Sequence, residues 1–359
     1  AKHAPILISL AAGLIVGGLA QRTRLCMVGG IRDVVLFREP KLLMGFGAIL
    51  VNLPLSGAIT QGTTVGPISA LFDAGMSNEL FPLLLFIGIG AMIDFGPLLS
   101  NPKMMLFGAA AQFGIFFALI GALVLAKMGI EFDLKDAASI AIIGAADGPT
   151  SIYVANYFNS QYQGAIMVAA YSYMALVPIV QPPVIRLCTT KKERKIRMPY
   201  NPSAVSGTTR ILFPIFVTVV AGTIAPKSAE LIGFLMFGNL IRECGVLGSL
   251  SASAQNELAN LITLLLGITI AFSMKADQFV QKETIMIMGL GLVAFVLDSM
   301  VGVLFVKVLN IFTPKNKINP MVGAAGISAF PMSSRVIEKL GQEADSQNHL
   351  LMHAVAANV

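Results

Sequence analysis

The chain has 359 residues, 55% of them hydrophobic and only 12% charged, with a formal net charge of +6. That balance excludes an ordinary soluble domain, and the basic residues sit in short clusters between apolar runs, so the charge is not a nucleic-acid signature. Three distant cysteines (Cys26, Cys188, Cys244) without a CxxC spacing exclude a disulfide framework, and no Cys/His cluster offers a transition metal its ligands.

A bilayer crossing needs about 20 mostly apolar residues. The first candidate, 6–20, is followed by Arg22 and Arg24 rather than a small-residue cleavage site, so it reads as a retained segment. Residues 1–45 form an atypical N-terminal membrane segment. Apolar segments then run over 42–58, 80–93, 104–128, 137–155 and 164–185, within a first unit of 46–190. A basic link, 191–206, carries Lys191, Lys192, Arg194, Lys195 and Arg197 close behind Arg186. This cluster and the one at Arg22, Arg24, Arg32 and Arg38 both belong on the cytoplasmic side. Five crossings between them would put them on opposite sides, so one segment fails to cross. The interrupted 137–155 is expected to be that re-entrant hairpin. The second unit, 207–359, has apolar runs at 211–225, 259–274 and 283–312.

The two units share an order and a spacing. Gly88 and Gly267, Lys103 and Lys282, and Gly144 and Gly323 are each separated by 179 residues. Matched Gly/Pro-interrupted segments in two halves point to a transporter fold with its site at the midplane. We expect an all-α polytopic membrane protein of two inverted-topology repeats, whose discontinuous helices meet near the bilayer centre.

The first interruption, 142–151, reads "IIGAADGPTS". Pro149 lacks an N–H and disfavours helix at Gly148, so the preceding helix should end near Asp147. Freed backbone groups must be buried in protein or line a wet cavity. An intramembrane Asp costs about 3 kcal/mol on insertion scales, which marks it as functional unless it merely pairs with an Arg for folding. With Thr150, Ser151 and the freed carbonyls it makes an all-oxygen set that suits a hard cation. The second interruption, 319–335, offers Asn319, Gly323, Gly326, Ser328, Ser333 and Ser334 as neutral groups and Arg335 as a fixed cation able to clamp a carboxylate.

The strings "GAADGPTSIYVAN", "YSYMALVPIVQPP", "GNLIRECGV" and "NPMVGAAGISAFPMSSRV" resemble the membrane beta subunit of the biotin-dependent sodium-pumping decarboxylases, over roughly 46–359. That family acts on oxaloacetate, methylmalonyl-CoA, glutaconyl-CoA or malonate. The resemblance implies a carboxybiotin decarboxylase in the bacterial cytoplasmic membrane. It would extrude sodium and take up a proton, with carboxybiotin supplied by a partner subunit rather than attached to this chain. A biotin carrier, a carboxyltransferase alpha subunit, a small membrane-anchoring subunit and a homotrimer follow as implied partners.

It also implies site residues. Asp147, Tyr173 and Arg335 would be catalytic; Asp147, Asn319, Gly323, Ser328, Asn358 and Thr150 would bind the cation, with sodium held by Asp147, Asn319 and Ser328. Asp147 binds sodium only when ionised, so sodium and a proton compete for it. Arg335 either grips the carboxylate of carboxybiotin or keeps Asp147 ionised. The alternative function is a sodium-coupled carrier of a small anion with no chemistry of its own.

Some stretches depart from this pattern. Residues 19–39, "LAQRTRLCMVGGIRDVVLFRE", resemble a motif of membrane transporters for sulfur and selenium compounds, which would give Cys26 a substrate contact; a thiol at the membrane edge is the plainer reading. The family continues past "HAVAANV" into a last apolar span, so a shortened second repeat is expected, with Asn358 at its end. "SSRVIEKL" and "AANV" lean toward the acyl-CoA enzymes. Lys275 in "FSMKA" reads as a helix-end lysine rather than a biotin attachment site, and "GLGLVA" lies inside a span without a preceding strand. His349 and His353 have zinc-ligand spacing but lack a third ligand. Asp94 reads as a span end. Asp298, mid-run, would pair with Lys307 or face a cavity.

Overall fold

The computed structural model describes residues 66–199, 205–270, 281–313, 317–329 and 332–358, and these are helical with no strand among them. The first 65 residues, including Cys26, and Lys275 lie outside the described residues. Helix α1 (Pro67–Gly75) turns through 64° into α2 (Leu80–Met92), with Glu79 in the left-handed region between them. Asp94 ends α2, as its sequence position suggested. It caps the Gly96 N–H at 2.8 Å and faces Arg242 at 3.5 Å and Arg210 at 3.7 Å.

After the short α3 (Gly96–Ser100), one apolar span runs over Pro102–Lys127 as a 3-10 turn, α4 (Met105–Ala110) and α5 (Phe113–Lys127). Then come α6 (Leu134–Ala141), opened by an Asp133–Asp136 capping box, and α7 (Gly148–Tyr157). Helix α8 (Gln163–Cys188) bends by 60° between Met174 and Leu176. Pro178 explains the bend: it supplies no N–H to the Met174 carbonyl and its ring crowds that carbonyl. The short α9 (Lys191–Arg194) carries the basic link.

Helices α10 (Gly207–Ile224), α11 (Ala229–Glu243), α12 (Gly248–Ser253), α13 (Ala259–Ile270) and α14 (Lys282–Phe312) follow, then α15 (Met332–Ala344) and α16 (Leu351–Asn358). By length and apolarity three helices among the described residues suit a membrane crossing (Pro102–Lys127, α10 and α14), or five if the bent pairs each count as one. Their outward faces carry Phe116, Ile120, Val124, Phe216, Val219, Ile285 and Ile311, a surface suited to lipid.

Close backbone approach sets the packing. Helices α2 and α11 cross at Gly90 and Gly238, where a side chain on either glycine would overlap the other helix's backbone. Asn239 fastens this crossing by donating to the carbonyls of Ile93 at 2.8 Å and Gly90 at 3.3 Å. Helix α14 and the Pro102–Lys127 span pack against both interrupted segments, which lie at the centre of the buried core.

Candidate functional site

The first interruption is resolved into single steps. Helix α6 stops at Ala141, the chain tightens into a 3-10 turn over Ile142–Ala145, and Ala146 flips to the left-handed region at φ 53°. Asp147 is extended and begins α7 as its N-cap, with Pro149 in the first turn. Its carboxylate accepts from the Thr150 hydroxyl at 2.6 Å and the Thr150 N–H at 3.2 Å, while Ser151 donates to its carbonyl at 2.6 Å. The Asp147 residue is half-buried.

The second interruption is also a 3-10 segment, Pro320–Gly326, capped by Asn319 through the Met321 N–H at 3.1 Å. It ends in an extended stretch in which Ser328 donates its N–H to the Ala145 carbonyl at 3.0 Å. This one bond ties the two breaks together, two residues before Asp147. Asn358 closes the same corner, donating to the carbonyls of Ala325 and Ile327 while its own Oδ1 is buried without a partner.

Gly144 and Gly323 both lie at tight backbone crossings. Gly144 crosses the backbone of Gly114 at the start of α5, and Gly323 crosses Gly302 in α14; a Cβ on either would overlap the opposing carbonyl. Each of these two glycines thus lies where a broken segment crosses a long span.

The expected site residues divide. Asp147, Thr150, Ser328 and Asn358 gather around the Ala145–Ser328 bond. Gly323 lies on the far side of the second segment, against α14. Asn319 is committed to the basic link: its amide donates to Ile196 O at 2.9 Å and Arg194 O at 3.1 Å. Tyr173 is buried, its phenol donating to the Met288 carbonyl beside Ile143 and Gly291. Arg335 is exposed and forms no ion pair among the described residues, so it does not hold Asp147 here.

His349 pairs with Glu338 at 3.0 Å and His353 with the Met198 carbonyl at 3.1 Å, so the two histidines serve different contacts. Lys307 pairs with Glu193 at 3.1 Å, not with Asp298.

The family model of the Na+-transporting oxaloacetate decarboxylase beta subunit matches residues 34–359. The chain belongs to this family. It is 48% identical over 303 residues to the oxaloacetate decarboxylase beta chain of Klebsiella pneumoniae, covering 84% of this chain and 70% of that one. It is 46% identical over 343 residues to the methylmalonyl-CoA decarboxylase subunit beta of Propionigenium modestum (89% and 85% covered). It is 47% identical over 323 residues to the glutaconyl-CoA decarboxylase subunit beta of Acidaminococcus fermentans (89% and 83%). The resemblance read from the broken-segment motifs is therefore a family relationship, and this beta-type chain is a decarboxylase subunit.

Two neighbours of the site escaped sequence reasoning. Tyr171 lays its ring on Gly148, next to Asp147, and its buried hydroxyl has no hydrogen-bond partner. Gln181 is fully buried and donates to Ala324 O at 2.7 Å and Ser333 Oγ at 2.8 Å, bracing the second break. The signal for Gln181 was present: an amide between prolines in an apolar run needs buried partners. Tyr171 gave none, because "YSY" offers two phenols and the string does not say which faces Asp147.

Proposed function

We propose that the chain decarboxylates carboxybiotin carried on a partner subunit and uses that reaction to drive sodium out of the cell, with uptake of a proton. Family membership supplies the decarboxylase reading. The carrying observation for the coupling is the Ser328–Ala145 bond, because it joins both chain breaks beside a half-buried carboxylate. Sodium, the cargo, would bind ionised Asp147 with the Thr150 hydroxyl, Ser328 and freed carbonyls, an oxygen set suited to a hard cation. The unpartnered Oδ1 of Asn358 is a further free acceptor at that corner. A proton arriving at Asp147 removes the charge that holds the ion, so the two compete for one group.

Arg335, exposed and unpaired, is on hand for the carboxylate of carboxybiotin, which a guanidinium can take bidentately. Tyr173 would relay the proton that the departing biotin nitrogen needs. The matched glycine crossings and the shared 179-residue offset support two inverted repeats with the site between them. A biotin carrier, a carboxyltransferase, a small anchoring subunit and trimeric assembly in a bacterial inner membrane complete the proposal.

The test is carbon dioxide release from carboxybiotin by the purified complex, with and without sodium. Sodium-dependent release is the expected result. Sodium-driven solute uptake with no release would instead identify a carrier without chemistry of its own.

A further inference from the structure

Asp298 lies in the middle of α14 with no exposed surface. One carboxyl oxygen accepts the Gly114 N–H at 3.0 Å, and the other is buried without any partner. The hydroxyl of the next residue, Ser299, is buried and unpartnered as well. The position is the crossing of three elements. A Cβ built on Gly114 would meet Asp298 Cβ at 2.8 Å, Asp298 Cγ at 2.9 Å and the Gly144 carbonyl oxygen at 3.0 Å. The Asp298 side chain is therefore packed against Gly114 at the place where Gly114 also meets the Gly144 carbonyl, a crossing too tight for an added methyl group on that glycine.

A bare carboxylate sealed from water in a membrane core is too costly to persist; it takes a counter-charge or a proton. The ionisable groups on the elements packed around α14 do not supply a counter-charge. Lys307 on α14 itself is bound to Glu193. Helix α8 presents the phenols Tyr171 and Tyr173 and, near its end, the exposed Arg186, which is bound to Glu343 at 2.6 Å. The first break ends in the acid Asp147, and α6 carries the exposed Lys135 and Asp136, the latter bonded to Ser160 at 2.6 Å. The 3-10 turn Pro320–Gly326 and α4 carry no ionisable side chain, and the one on α5 is Lys127 at its far end.

We propose that Asp298 is a second proton-binding carboxyl of the transport core, a positioning residue that holds the first break against α14 while protonated. Its O–H then donates to a carbonyl of the Gly114–Gly144 crossing and its other oxygen keeps the Gly114 N–H. When the proton leaves to water, the carboxylate must be hydrated, so the crossing opens and the segment carrying Asp147 is freed to move. The proton is the only species exchanged. This inference rests on the coupled-pump reading for its consequence but not for the chemistry of the group itself.

The experiment combines turnover with infrared spectroscopy on the full complex. Asp298→Asn keeps both hydrogen bonds and fixes the neutral form. The complex is expected to assemble, yet its sodium-dependent turnover should fall roughly tenfold or more and its pH profile should flatten. In the wild type, a neutral-carboxyl stretching band, identified by its shift in heavy water, should change on sodium addition and be missing from the variant. Wild-type rate and pH profile in Asp298→Asn would overturn the proposal. So would reduced turnover with no Asp298-dependent band, which marks a purely structural clamp. If the variant fails to assemble, the wild-type band under a pH titration decides alone: a neutral-carboxyl band lost as pH rises supports the role, and none at any pH rejects it. If the wild type shows no sodium-dependent decarboxylation at all, the pump reading fails, while the band under pH titration still judges Asp298.

Discussion

The two breaks have the same backbone plan and opposite chemistry. Each is a 3-10 turn that presses a glycine onto a long span and then runs extended into a new helix. The first is self-contained: Asp147 caps its own helix and is held by its neighbours Thr150 and Ser151. The second is braced from outside. Residues 320–326 are all buried, with Gln181 and Asn358 bonded to their carbonyls and Asn319 bonded to the basic link. A pump needs one element that changes charge and one that senses it. The ionisable break suits the first task, and the neutral break, anchored from several sides, suits the second.

Removing the charge from the first break is the severest way to test this division. Asp147→Asn retains the N-cap and the Thr150 contacts but takes away the anion that a cation requires. Sodium-stimulated decarboxylation is expected to disappear, read as carbon dioxide release against sodium concentration. Undiminished sodium dependence in that variant would falsify the assignment of the ion to Asp147.

Stiffening the second break should act through stability instead. Gly323→Ala drives a methyl group into the Gly302 backbone, and overpacking of this kind costs about 1–3 kcal/mol or more. Gln181→Leu removes the shorter of the two bonds to the Ala324 carbonyl and leaves it only the Ser333 hydroxyl at 3.2 Å, at about 1 kcal/mol. Both should lower the temperature of detergent-solubilised unfolding, while the sodium concentration for half-activation in surviving enzyme stays near the wild-type value. If that concentration rose with unfolding temperature unchanged, the second break would itself be a primary ion ligand.

Arg335→Lys sharpens the same contrast at the substrate. A lysine keeps the charge but cannot grip a carboxylate through two parallel bonds, worth roughly 1.5–3 kcal/mol for a charged hydrogen bond. The effect should appear as roughly tenfold lower turnover with carboxybiotin and little change in sodium affinity. A change in sodium affinity alone would return Arg335 to the role of partner for Asp147.

Much of this was legible in the chain. Pro149 and Asn319-Pro320 announce the breaks because proline cannot continue a helix, and Gly144 and Gly323, singled out by their spacing, each meet the backbone of a long span. Asp147 was visible because a carboxylate in an apolar run is costly. What could not be read were partners chosen by tertiary contact. Asn319 offers the same amide whether it faces an ion or the Arg194 carbonyl, and only packing shows that its N–H groups go to the link. Asp298 was seen as an acid, but its link to Gly114, 184 residues earlier in the chain, is invisible without the fold.

The mildest test concerns how firmly that link is tied to the second half. Arg197 donates to Asp345 at 2.8 Å, and this bond, followed by the Gln347 N–H, holds the Asp345 carboxyl below the usual carboxylate range. A group with a depressed folded value stabilises the fold above its unfolded value and loses that contribution as pH falls through the folded one. The link should therefore be equally well docked from neutrality down to about pH 5, and loosen only below the ordinary carboxylate value of about 4. The pair is solvent-exposed and salt-screened, so Asp345→Asn should lower the unfolding temperature by only about a degree at neutral pH. Once the pH lies well below the depressed folded value the variant and the wild type should converge, because both then lack the charge. A difference that persists at that pH would mean that Asp345 holds the link by shape rather than by its ionised carboxylate. The neighbouring bonds from Asn319 and Asn348 to the Arg194 carbonyl, which do not titrate, should keep the link in place throughout.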